Sequence, residues 1–126
     1  MGVYKTRWFS RWADREGISG ASLCEAVNEM ITGLIDADLG GGLVKKRIAQ
    51  PGGGKSGGYR TLVATNKSNR WVYVFGFTKN KRSNIGRDET EALKKLAAHV
   101  LSLPVQAVVK AQSAGELIEV DCNAKD

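Results

Sequence analysis

The run Tyr59-Arg60-Thr61-Leu62-Val63-Ala64-Thr65, the link Asn66-Lys67-Ser68-Asn69 and the run Trp71-Val72-Tyr73-Val74-Phe75-Gly76-Phe77 decide the fold. Both runs are rich in β-branched and aromatic residues, which suit a pleated, half-buried surface. The polar link carries side chains that favour a turn. Strand, short turn and strand in that order predict an antiparallel hairpin. Leu43 to Ile48 reads as another short strand upstream. Between it and the hairpin lies Pro51-Gly52-Gly53-Gly54-Lys55-Ser56-Gly57-Gly58, whose composition forbids regular structure.

Helices are expected on both sides of these strands. Downstream, Asp88-Glu89-Thr90-Glu91 places acids in a first helical turn, where they complement the macrodipole. Leu93, Leu96, Ala97, Val100 and Leu101 supply its apolar face until Pro104 stops or redirects it. Val105 to Ser113 reads as a short helix and Glu116 to Asp121 as a last strand. Upstream, Ser19 or Ser22 can cap a helix, with Glu25 at capping-box spacing from Ser22. Leu23, Val27, Met30, Ile31 and Leu34 continue it, and Gly40-Gly41-Gly42 is expected to end it. Val3 to Arg11 reads as a strand leading to a turn near Gly17.

With 126 residues, 42% apolar and 25% charged, the chain suits one domain, 1–126, with a real core, and is too apolar for wholesale disorder. No apolar run approaches the roughly 20 residues that span a bilayer. Met1 to Ser10 shows no secretory pattern, so a cytoplasmic protein is expected, without membrane contact. Cys24 and Cys122 lie far apart, and idle or buried thiols are the expectation, with a disulfide as the alternative. With His99 the single histidine and no CxxC or Cys/His spacing, neither a metal site nor a cofactor is expected.

Charge is segregated. From Leu39 to Arg87 there is no acid, yet eleven basic residues, in a chain whose net charge is only +6. They are Lys45, Lys46, Arg47, Lys55, Arg60, Lys67, Arg70, Lys79, Lys81, Arg82 and Arg87. A one-signed block within a foldable segment points to a polyanion. Gly54-Lys55-Ser56 looks like the end of a phosphate loop, but Ala49 stands where that motif needs its first glycine and a strand follows where it needs a helix. A glycine-rich basic loop that approaches a nucleic-acid backbone fits better.

Two stretches resemble the HigB-like branch of the RelE/ParE toxin superfamily. They are Arg47-Ile48-Ala49-Gln50-Pro51-Gly52-Gly53-Gly54-Lys55-Ser56-Gly57-Gly58-Tyr59-Arg60 and Val74-Phe75-Gly76-Phe77-Thr78-Lys79-Asn80-Lys81-Arg82-Ser83-Asn84-Ile85, followed by the Asp88 to Leu96 helix. The likeness covers residues 43 to 103. It implies an α+β fold, with N-terminal helices packed on a twisted, mostly antiparallel sheet and a C-terminal helix. It further implies a type II toxin that cuts mRNA on the ribosome and is silenced by an antitoxin, often a small helix-turn-helix repressor.

Cleavage by the 2′-OH needs a base, stabilisation of the phosphorane and a proton for the 5′-oxygen. With no histidine in the window, lysines and arginines are the candidates. The resemblance puts Arg60 on the phosphate and Lys79, Arg82 and Lys55 among the catalytic cations. Crowding by other cations lowers a lysine pKa, which makes Lys79 the candidate base. Lys45, Lys46, Arg47 and Lys81 are expected on the RNA backbone, with Tyr59 and Phe77 able to stack on bases. Trp8, Trp12 and Trp71 read as core or partner contacts. The tail from Glu116 lacks the tyrosine or histidine that some members use, which leaves the proton donor open. The rival readings are a gyrase-poisoning toxin and a non-catalytic RNA- or ribosome-binding module.

Overall fold

A computed structural model describes residues 1–50 and 58–123. The elements run β1 (Gly2–Thr6), α1 (Arg7–Glu16), α2 (Gly20–Ile31), β2 (Ala37–Gly40), β3 (Leu43–Ile48), β4 (Tyr59–Thr65), β5 (Arg70–Thr78), α3 (Arg87–Ser102), α4 (Val105–Ser113) and β6 (Leu117–Glu119). The strands form one sheet in the order β2-β3-β4-β5-β1-β6. Only β1 and β5 pair in parallel; every other neighbour is antiparallel. This is the expected α+β fold, with the β4–β5 hairpin at its centre.

All seven residues of β4 are buried, because helices cover both faces of the sheet. One face carries Val44, Ile48, Tyr59, Val63, Trp71 and Tyr73 under α1 and α2, which contribute Phe9, Trp12, Leu23, Val27 and Met30. The other carries Leu43, Leu62, Ala64, Val72, Val74 and Phe77 under α3 and α4, which contribute Ala97, Val100, Val108 and Ala111. Removing roughly one fully buried leucine- or phenylalanine-sized side chain from such a layer costs about 2–5 kcal/mol. Gly76 is fixed by packing, since a Cβ there would lie 2.3 Å from the Trp12 ring.

Several expectations change. The N-terminal strand stops at Thr6, whose hydroxyl accepts from the Phe9 N–H and starts α1; Gly17 in the left-handed region ends that helix. Ser19, not Ser22, caps α2, since the Ser22 N–H donates to the Ser19 hydroxyl. That helix ends at Ile31, and the glycines Gly40 to Gly42 instead turn β2 into β3 with positive φ. Cys24 and Cys122 are joined in a disulfide with a Cα–Cα distance of 5.5 Å, so the idle-thiol reading is corrected. No single helix is long and apolar enough to cross a membrane.

The acids that flank the basic window return to it through the fold. Glu29 pairs with Lys46, Asp36 with Arg47, Asp38 with Lys67 and Glu89 with Arg82. Arg70 donates to the carbonyls of Val100 and Leu103, which closes the C-terminus of α3. Much of the segregated charge is thereby neutralised in place.

Candidate active site

Alternation along β3 to β5 sorts the basic residues by face. The cross-strand register places Arg47 opposite Arg60 and Arg60 opposite Phe77. These three form one row across the sheet, on the face that α3 and α4 cover further along. The adjacent row places Lys45 opposite Leu62 and Leu62 opposite Phe75. Directly opposed residues in such rows are about 5 Å apart at Cβ. Lys79 follows the end of β5, where its N–H donates to the Gly58 carbonyl.

Beyond the strands, the segment from Lys81 to Gly86 folds back over this face. The Arg82 guanidinium lies 5.4 Å from the centre of the Phe77 ring and is gripped by both carboxylate oxygens of Glu89. Glu89 also accepts from the Gly86 N–H and so starts α3. Asn84 accepts at its side-chain oxygen from the Lys45 amine at 2.8 Å and from the Ile85 N–H at 2.9 Å. It holds Lys45 in place, a role the sequence reading did not assign; the Arg-Ser-Asn-Ile stretch was its signal.

The electrostatics single out one amine. Partial burial, and then the positive charge of Arg60, hold the Lys45 pKa below the usual lysine value; Asp36 pulls the other way, and Lys79 adds a smaller lowering. Arg60 is only 8% exposed. A cation crowded by others and partly withdrawn from water gives up its proton more readily, and the neutral amine is a base. The base candidate therefore moves from Lys79 to Lys45. Lys79 itself is exposed at the strand end.

Other sequence candidates are placed elsewhere. Lys46 points to the α2 face, is 3% exposed, and bonds Glu29 and the Leu34 carbonyl. It is a core-side ion pair, not an RNA contact. Tyr59 is buried on that same face, edge-on to Trp12, with its hydroxyl donating to the Glu16 carbonyl. It is core and offers no stacking surface. Arg47 remains on the site's face but is tied to Asp36 through its N–H and its Nε. Phe77 is buried beneath Arg82. Lys55 lies outside the described residues. Among those described, no group of three or more His, Cys, Asp or Glu side chains could hold a metal ion.

What converges is thus Lys45, Arg60 and Lys79, with Asn84 and the Arg82–Glu89 pair as supports. The arrangement offers a lysine biased toward its neutral form next to cations that can stabilise a phosphorane. Residues 1–120 match the family model described as RelE toxin of RelE / RelB toxin-antitoxin system. No curated protein matches the chain.

Proposed function

From the premise that the chain belongs to the RelE toxin family, and so is the toxin partner of an antitoxin, we propose that it is an mRNA endoribonuclease acting on the ribosome, in the cytoplasm, without a metal. The observation that carries this reading is the lowered pKa of Lys45 beside Arg60 and Lys79. In the proposed reaction the neutral Lys45 amine takes the proton of a 2′-OH. The 2′-oxygen bonds to the adjacent phosphorus, and Arg60 stabilises the phosphorane's negative charge. The bond from phosphorus to the 5′-oxygen breaks, and the Lys79 ammonium protonates that oxygen. The products are a 2′,3′-cyclic phosphate and a 5′-hydroxyl. Ribosomal RNA offers the anionic surface that the remaining exposed cations suit, and the ribosome can present the message in one pose. An antitoxin would silence the protein by covering this face or by keeping it off the ribosome.

Mapping mRNA 5′ ends after induction tests the reading. The wild type should give new 5′-hydroxyl ends only while translation runs. Lys45→Arg, which keeps the charge but cannot serve as a base, and Arg60→Ala should each lower cutting by about 100-fold or more. DNA breaks with intact mRNA would instead identify a gyrase poison. Full cutting by Lys45→Arg would remove Lys45 from the base role.

A further inference from the structure

β1 pairs with β5 only from Arg70 to Tyr73, which leaves the later half of β5 without a strand on that side. There the α1 aromatics stand against the sheet and leave an open groove of about 290 Å3. Its walls carry Trp8, Trp12, Phe75 and Phe77. Trp8 stacks on Phe75 at 4.6 Å and lies nearly parallel to Trp12 at 6.2 Å. It is nevertheless 45% exposed, against 7% for Trp12 and 1% for Trp71. The groove's rim carries Arg15, Lys81 and Arg82, with the acid Glu16 among them and Arg82 paired to Glu89, which leaves the balance of charge positive. Arg15 and Lys81 have no ion pair among the described residues. Thr78 belongs to the same wall, and its buried hydroxyl has no hydrogen-bond partner among the described residues.

Phe77 belongs both to this groove and to the row that holds Arg60, and Arg82 lies over its ring, so the groove continues the catalytic face. Aromatic faces for bases and cations for phosphates, side by side along one track, are the chemistry of single-stranded RNA binding. We propose that the groove is a nucleobase subsite. In it, a nucleotide flanking the scissile phosphate stacks on Trp8, with Lys81 and Arg15 on the adjoining backbone. The positive rim argues for RNA over an apolar peptide, which would leave those charges unused. The proposal rests on the endoribonuclease reading for its placement beside a scissile phosphate, but base stacking can be measured without cleavage.

The probe is a 2′-O-methyl hexanucleotide, which has no 2′-OH to attack. Because Trp8 is the exposed tryptophan, the wild type should show saturable fluorescence quenching. Trp8→Phe keeps a stacking face, so it should lose most of the quenching and bind within about threefold of wild type. Trp8→Ala should bind about tenfold more weakly, within the range measured for removing one base–aromatic stack. No quenching of the wild type, or equal affinity for Trp8→Ala and wild type, overturns the proposal; the first result leaves the groove to a protein chain. Wild-type quenching together with weaker binding by Trp8→Ala, read from a label on the oligonucleotide, without any mRNA cutting, would uphold the subsite and reject the catalytic reading.

Discussion

Lys45 shows how one residue trades stability for chemistry. Its folded pKa lies below the unfolded value because burial and the cations Arg60 and Lys79 disfavour its charged form. At neutral pH the charged amine therefore destabilises the fold, and the penalty fades as pH rises toward the unfolded lysine pKa of about 10.4. Lys45→Met should raise the Tm at pH 7 while abolishing cleavage, and its stability advantage should shrink toward pH 10. Thermal melts across that range check the sign; a lower Tm for the variant at pH 7 would contradict it. Sequence pattern identified the cationic set but chose Lys79 as the base. That choice follows from charge crowding alone, and the letters do not show that Lys45 is the lysine held within the sheet beside Arg60.

Among the elements, β2 and the residue before it bring two acids, Asp36 and Asp38, to Arg47 on β3 and to Lys67 in the β4–β5 turn. Asp36 is partly buried, which raises its pKa, but the N–H and guanidinium of Arg47 outweigh this and hold it below the usual carboxylate value. Hydrogen bonds from Lys67 and then from the Gly40 N–H lower Asp38 in the same way. Groups with depressed pKa values contribute stability above the unfolded carboxylate pKa of about 3.9 and lose it as pH falls through the folded value. Asp36→Asn should cost roughly 1 kcal/mol at pH 7, a modest figure because the pair is partly exposed. The gap between variant and wild type should close below the usual carboxylate range. Urea unfolding at pH 7 and in acid measures this, and a gap that persists in acid would assign the cost to packing.

The bounds of β3, β4 and α4 were readable because period and punctuation agree there, as at Pro104. The helix α1 was hidden. Trp8, Phe9, Trp12 and Ala13 do repeat helically, but aromatic residues carry a strand preference, and tertiary packing against Gly76 decides between the two. The strand β2 was hidden because Ala37-Asp38-Leu39-Gly40 has little strand propensity of its own and is held by pairing with β3 and by its ion pairs. Faces were harder still. Lys45, Lys46 and Arg47 are indistinguishable as letters, and the pleat sends the middle one to the opposite core.

For the whole molecule, the Cys24–Cys122 bond ties α2 to the segment after β6, across a sequence separation of 98 residues. In the chain-entropy account a loop of that length is worth about 4–5 kcal/mol while oxidised. The bond lies by the β6 edge of the sheet, at the far end of the strand order from β2. The placement of β1 matters more for timing. It precedes β5 in the sequence, yet it lies between β5 and β6, and β6 follows both. A ribosome-tethered chain halted at Ser113 should leave β1 open to protease, and release of the whole chain should close it. Protection in the halted chain would mean that β5 alone seats β1. The layer beneath α3 and α4 likewise needs Val108, Ala111 and Leu117, which follow the β4–β5 hairpin in the sequence. The sheet of the nascent protein thus stays unfinished until β6 has emerged, so a partly made copy lacks the complete fold with which to act as a toxin.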